Sequence, residues 1–356
     1  NRLRFISNMF SQDEWNHLDD IDNLTSSDVL HVYDVFTLKE MEELFSKKGT
    51  PGLIITDHIV RYDEFSNHVN FLGLPLYFAL SLGWHNKADF VDNLPVTNYC
   101  FNFMINKKQV NRHLCIQLVK ALELTSFIYT WSGQDSSFDC TDIINEHNSL
   151  GESSPFSADT FGTILSPIQI KPRFYTSKEI ESTSGLVRSG RRSLGGSTDT
   201  SKPWKWGMHE LFCESAVSLI TESLEYQKAS AYTEKSVYPL LGLGFPIWIG
   251  GYNQADEWQA LGFDTFSDVI DHSYQYYDTL LERCYYAFAK NEKMLTDLDY
   301  ARSVRNSCID RLYANRQLAL SDHLHKHIKK QLESVCSTDT TSAFNTFLDF
   351  YGISHF

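Results

Sequence analysis

"VLHVYDVFTLKEMEELFSKKGTPGLIITDHIV", Val29 to Val60, changes its hydrophobic period twice. Val29–Phe36 is an apolar run rich in β-branched and aromatic side chains. Thr37–Gly49 spaces its apolar residues as one face of a helix and closes on glycine, and Gly52–Val60 returns to a strand-like run. Strand, helix, strand at this spacing is the signature of a parallel α/β sheet. Upstream, Arg2–Ser7 ("RLRFIS") reads as another strand. Downstream the pattern recurs: Val96–Asn106 is strand-like, "KKQVNRHLCIQLVKALELT" is an amphipathic helix, and Ser126–Ser132 ("SFIYTWS") is a strand.

Between such units the chain turns polar. Gly133–Asp159 reads as a loop or linker, and Ser177–Pro203 as a long loop rich in Ser, Gly and Arg. "WGMHELFCESAVSLITES" then reads as helix followed by strand. "ADEWQALGFDTFSDVID" opens with a short helix stopped at Gly262. The stretch from about Tyr274 to Val335 is helical, with a break near "LTDLDY". No internal repeat is visible. The expected organisation is an N-terminal α/β domain over residues 1–160, a second α/β domain over 161–295, and a helical segment over 296–356 packing back on both.

Composition bounds the function. The chain has 356 residues, 42% hydrophobic and 21% charged, enough for a substantial core without metals or disulfides. A net charge of -14 opposes indiscriminate binding to nucleic acid but leaves room for a local basic groove. Most of the 24 Phe, 18 Tyr and 7 Trp are expected in the core, and any surplus suits a groove that stacks sugars or bases. The 7 cysteines are scattered, with no CxxC spacing, which fits a reducing compartment. No apolar run reaches the roughly 18–20 residues of a membrane span. The expectation is a cytoplasmic protein without a membrane partner.

Tyr232–Gly251, "YTEKSVYPLLGLGFPIWIGG", carries the candidate chemistry. Thr233 can cap a helix beginning at Glu234 or Lys235. A helix start presents free N–H groups and a positive dipole end, which suit phosphate oxygens, and Lys235 adds a mobile charge. Glu234 can accept hydrogen bonds from two adjacent hydroxyls, as a ribose offers. Gly242 and Gly244 permit a tight turn into the next strand, and Pro239 implies a short or bent helix. A surface Glu–Lys pair ahead of a core helix is the alternative reading of the same residues.

With "LITES" (Leu219–Ser223) ahead of it, this segment resembles the donor-site signature of GT-B glycosyltransferases, folds of two Rossmann-like halves, and in particular α-1,3-fucosyltransferases. It also resembles phage-encoded and bacterial proteins reading roughly "TEKTxKPxxxGxPFIxxG" then "LxxLGFxTFxxxIDESYD", matched here by Trp258–Gln275. Their "FLxxNRRxxxHR" is matched by "FNFMINKKQVNRHLCIQL" from Phe101. The resemblance spans about Cys100 to Glu292. It implies that Glu222 and Glu234 approach donor hydroxyls, that Lys235 meets a diphosphate, and that Arg112 with Lys108 completes the phosphate clamp. It also implies that fixed cations, with no metal or cofactor, stabilise the leaving nucleotide. The chain departs from the pattern at Tyr238, where a Lys is usual, at His272, where a Glu is usual, and at Asn106-Lys107-Lys108 in place of "NRR".

A base must take the acceptor's proton in an inverting transfer. Strand ends in the N-terminal half offer Asp57 first, then His58 and Asp34, with His31 and His68 weaker. Arg188, Arg191, Arg192, Lys202, Trp204 and Lys205 combine charge with aromatics in a manner that suits a nucleic-acid strand. With the phage-like resemblance, this makes a hydroxymethylated pyrimidine in DNA one candidate acceptor, in the host cytoplasm if the chain is phage-encoded. A cell-surface glycan is another candidate, and a nucleotide- or nucleic-acid-binding module without catalysis is the rival class. His323 and His327 share a helix face, but no third ligand stands at a recognisable spacing, so no metal site is expected.

Overall fold

The computed structural model describes residues 2–6, 24–26, 28–32, 45–56, 59–60, 70–85, 96–105, 109–131, 141–165, 209–222, 229–230 and 232–335. The chain divides into two compact units: Asn1–Gly83, Lys228–Tyr232 and Ser321–Phe356 in the first, Trp84–Gln227 and Thr233–Leu320 in the second. Each contains a four-stranded sheet in which all neighbours run parallel.

In the first unit, strands β1 (Arg2–Ile6), β2 (Asp28–Val32), β3 (Leu53–Thr56) and β5 (Asn70–Gly73) lie in the order β1-β2-β3-β5. β3 is buried at every position, as expected of a parallel strand covered on both faces. The helical turn at 45–48 ends at Gly49, whose φ is +88° and whose N–H returns to Phe45 O at 2.9 Å. A Cβ at Gly49 would lie 2.4 Å from Leu24 O, so the stop signal in the sequence has a steric basis. The run Gly52–Val60 does not form one strand. It yields β3 and then a two-residue β4 (Ile59–Val60), antiparallel to β9 (Ala229–Ser230). Helix α1 (Leu76–His85) follows β5.

In the second unit, β6 (Tyr99–Ile105), β7 (Phe127–Trp131), β8 (Ser215–Ile220) and β10 (Phe245–Trp248) lie in the order β10-β8-β6-β7. Helix α2 (Val110–Ala121) joins β6 to β7. The rings of Phe101, Phe103, Phe127 and Tyr129 pack on one another across these two strands, with centroids 5.3–6.2 Å apart. The boundary expected after residue 160 therefore falls inside a sheet. Phe101 pairs with Val217 and Asn102 with Ser218, and buried Asn102 donates from Nδ2 to Ser218 Oγ at 3.0 Å. A polar stretch in the sequence is no domain boundary when the strands on either side of it pair.

The expected linker Gly133–Asp159 also differs. It contains α3 (Thr141–Leu150), and its end enters α4 (Ala158–Leu165). Few apolar residues lie here, but Ile143, Phe156, Phe161 and Ile164 are all buried. Phe156 meets Tyr285 edge-on at 5.0 Å. Glu146 accepts from Leu280 N and Leu281 N at 3.2 and 2.9 Å, completing the start of α8 (Leu280–Ala289). Tertiary packing makes these helices, because their local propensity is weak.

After β7, α3 and α4 come α5 (His209–Cys213), β8, α6 (Glu234–Gly242), β10 and α7 (Gln254–Ala260). Beyond α8, helices α9 (Glu292–Thr296), α10 (Leu298–Ser307) and α11 (Ile309–Leu320) complete the second unit, while α12 (His323–Val335) belongs to the first. The C-terminal helices therefore form no separate segment from residue 296. The break at "LTDLDY" is Asp297, whose carboxylate accepts from Tyr300 N at 3.0 Å and caps α10. Arg305 of α10 is fully buried and donates to the carbonyls of Gly242, Leu243 and Cys213 at 2.7–2.9 Å. This ties the ends of α5 and α6 to α10, and burial pushes the Arg305 guanidinium down to about 10.

The five cysteines among the described residues are buried and form no disulfide, and no helix of those residues is long and apolar enough to cross a membrane.

Candidate functional site

The second sheet has a switch point. From β6 the chain passes through α2 to β7 on one side, and from β8 it passes to α6 and then to β10 on the other. Outside the carboxyl ends of β6 and β8 the two connections part, and in open α/β sheets such a crevice is where ligands bind. Four pieces of chain meet there: Thr221-Glu222 after β8, the first turn of α2, the first turn of α6, and Ile249-Gly250 after β10.

The first turn of α2 is bonded to the strand ends. Asn111 donates from Nδ2 to Glu222 O at 3.0 Å and Ile249 O at 3.3 Å. Arg112, 1% exposed, places Nε and Nη2 3.3 and 3.2 Å from Thr221 O. The expected phosphate-clamp arginine is thus a buried side chain bonded to the β8 terminus. Gly250, with φ +85°, lets this packing close: a Cβ there would stand 2.6 Å from Leu280 Cδ1 and 3.1 Å from Asn111 Cβ.

α6 starts as its sequence requires. Thr233 is the N-cap, with φ −117°, and its Oγ1 accepts from Lys235 N at 3.3 Å. Glu222 is buried and faces this cap. Oε1 accepts from Thr233 N at 2.9 Å and from Ser236 Oγ at 2.8 Å, and Oε2 accepts from Thr233 Oγ1 at 2.6 Å. Ser236 Oγ in turn accepts from Trp248 Nε1 at 3.2 Å. Lys235 Nζ lies 3.0 Å from Thr233 Oγ1, 3.1 Å from Glu234 Oε1 and 3.8 Å from Glu222 Oε2. Side-chain exposure is 2% for Glu222, 13% for Lys235 and 30% for Glu234, so Glu234 is the carboxylate that faces out.

Electrostatics separate the two carboxylates. Burial raises the Glu222 carboxyl above its ordinary value, more than the neighbouring Lys235 charge lowers it. Burial also pushes Glu234 up, but the Lys235 charge and hydrogen bonds outweigh it and hold Glu234 below its ordinary value. The expected approach of both carboxylates to ligand hydroxyls fits Glu234 alone, because the Glu222 oxygens already accept from three donors within the protein.

Of the three departures from the TEK-type pattern, Tyr238 and His272 are buried packing positions, and Asn106-Lys107-Lys108 lies outside the described residues. Tyr238 sets its ring 4.9 Å from that of Phe212. His272 has Nε2 2.9 Å from Thr265 O and its ring 5.8 Å from Trp248, and burial pushes its imidazole down. The turn after α6 is made by Leu243, in the left-handed region at φ 58°, rather than by a glycine. Gly242 serves close approach instead: a Cβ there would meet Phe212 at 2.6–2.9 Å.

Sequence reading missed Asn111, Ser236 and Trp248. A serine three residues past a capping threonine and a tryptophan at the end of the following strand were the available signals. Asp34, Asp57, His58, His68, Lys108, Arg188, Arg191, Arg192, Lys202, Trp204 and Lys205 lie outside the described residues, as does the side chain of His31. His323 and His327 lie on α12, and the described residues include no group of three or more His, Cys, Asp or Glu side chains that could hold a metal. No protein-family model, no curated protein and no solved structure matches the chain.

Proposed function

We propose that the chain is a glycosyltransferase of the GT-B type, its two parallel-sheet units corresponding to the two halves of that fold, and that it takes a nucleotide-sugar donor at the start of α6. The observation that carries this reading is the capped turn Thr233-Glu234-Lys235 standing at the carboxyl edge of a parallel sheet, beside its switch point. A nine-residue helix starts there with its positive end beside one ammonium, while the N–H groups of Thr233, Lys235 and Ser236 are engaged within the turn, so the charge of Lys235 and the helix dipole are what an anion would meet.

Transfer joins the acceptor hydroxyl oxygen to the anomeric carbon. The bond from that carbon to the diphosphate oxygen breaks, the nucleoside diphosphate leaves with the electron pair, and the hydroxyl proton passes to a base. Charge grows on the leaving diphosphate, and preorganised cations and N–H groups stabilise it without reorganising. Lys235 supplies such a cation, and Glu234 an outward carboxylate for a ribose or sugar hydroxyl. Asp57, His58 and Asp34 are the candidate bases by sequence, and the Arg188–Lys205 stretch is the candidate contact to a DNA acceptor.

Thermal unfolding with a panel of nucleoside diphosphates and nucleotide sugars tests the donor site. A bound member at about 100 times its dissociation constant stabilises by about 2.7 kcal/mol. Lys235→Ala is expected to abolish that shift and to leave the melting curve without ligand cooperative. Absence of a shift with every compound would overturn the reading. Sugar incorporation into hydroxymethylated DNA, plain DNA and glycans then assigns the acceptor; a nucleotide-induced shift with no transfer to any of them favours a binding module.

A further inference from the structure

We propose that Glu222 is a positioning residue for Lys235: it orients the Thr233 hydroxyl so that this oxygen's lone pairs hold the ammonium at the start of α6. The inference rests on the reading of Lys235 as the group that meets an anionic ligand.

The proton count carries the argument. A hydroxyl has one proton and two lone pairs, whereas an ionised carboxylate only accepts. With Glu222 ionised and two N–H donors pointing at Thr233 Oγ1, the hydroxyl's own proton lies on its 2.6 Å contact with Glu222 Oε2. Its lone pairs are left for Lys235 N at 3.3 Å and Lys235 Nζ at 3.0 Å. The same logic fixes Ser236, whose proton goes to Glu222 Oε1 and whose lone pair receives Trp248 Nε1. One buried carboxylate thus sets the direction of both hydroxyls in the turn. It also attracts the ammonium from 3.8 Å. At 2% exposure Glu222 acts on a ligand through Thr233 and Lys235 rather than by touching it. Glutamine at this position keeps the shape but turns one acceptor into a donor, facing a hydroxyl or an N–H. The proton order then fails, and the ammonium loses one of its holds.

Two measurements test this. In the first, which needs no ligand, lysines are acylated with a trace reagent, and the rate at Lys235 is measured by peptide mass spectrometry against Lys290 in the same molecule. Glu222→Gln is expected to raise the Lys235 rate several-fold, and an unchanged rate overturns the proposal. In the second, inorganic pyrophosphate is titrated into wild type, Glu222→Gln, Lys235→Ala and the double variant. Glu222→Gln is expected to weaken binding about tenfold when Lys235 is present and to add nothing once it is alanine. A loss of equal size in both backgrounds overturns the proposal, because a carboxylate that only supports the helix would produce that result. If Lys235→Ala binds pyrophosphate as wild type does, or wild type binds none, the donor reading falls, and the acylation rate still decides whether Glu222 holds Lys235. Should Glu222→Gln not fold, the near-isosteric Thr233→Val removes the same bridge and must give both changes; failure to do so overturns the proposal.

Discussion

Glu222 and Glu234 lie 3.8 and 3.1 Å from one ammonium; burial pushes both up, and only at Glu234 do the Lys235 charge and hydrogen bonds outweigh it. Glu222 is raised, so between pH 4.5 and its folded value it holds a proton that the unfolded chain has already released, and above its folded value it is the ionised acceptor of the cap. Its contribution is fully present below the ordinary value of 4.5 and is lost as pH rises through its folded value. Glu234 is lowered, so its contribution is present above 4.5 and is lost as pH falls through its folded value. Urea unfolding across a pH series should separate them. Relative to Glu222→Gln, wild type should lose stability as pH rises above 4.5, and relative to Glu234→Gln it should lose stability as pH falls below 4.5. Parallel curves for wild type and both variants would show that neither carboxylate titrates abnormally. The cap itself was legible in the chain, since Thr-Glu-Lys is a contiguous pattern with a local cause. The burial of Glu222 and Arg112 was not, because it depends on strand ends and helix starts far apart in sequence.

At the scale of the element, α6 shows local preference yielding to packing. Alanine suits a helix better than glycine by about 1 kcal/mol, so Gly242 looks like a position to improve. The methyl would meet Phe212 Cβ at 2.6 Å and the Phe212 carbonyl carbon and oxygen at 2.8 and 2.9 Å, and backbone atoms do not move aside cheaply. Overpacking of this kind costs roughly 1–3 kcal/mol, and here it outweighs the propensity gain. Gly242→Ala is therefore expected to lower the urea midpoint at unchanged slope; a raised midpoint would mean that α5 and α6 part easily. The left-handed Leu243 follows the same rule. Its strain is of order 1–2 kcal/mol, less than the roughly 2–5 kcal/mol lost by truncating a buried leucine, and Leu243 is buried.

For the whole molecule, the order β10-β8-β6-β7 places β6 between β8 and β7, so the strands of one sheet come from both sides of residue 160. A fragment of residues 161–295 lacks the strand on which β8 packs. It is expected to show no cooperative thermal transition by circular dichroism, whereas the full chain does. A cooperative transition in that fragment would mean that β8 and β10 suffice for a core. The chain also leaves the second unit after Gln227, adds β9 to the first unit and returns at Thr233, and within the second unit hydrogen bonds join Glu222, before the excursion, to Thr233, after it.

By itself the sequence determined what neighbours along the chain can decide: the alternation of strand and helix, the glycine stop at Gly49, the Asp297 break, and the capped start of α6. Each rests on residues within a turn or a strand of one another, where periodicity and capping act. Only the tertiary structure decided that β6 pairs with β8, that the polar stretch after β7 contains the helix α3, and that Glu222 reaches into the cap from the end of another element. The first two depend on surfaces that meet across a hundred or more residues, and the third on a return of the chain after 11 residues that no local period records. Hydrophobic burial is non-directional, so a local pattern marks a face for burial without naming its partner.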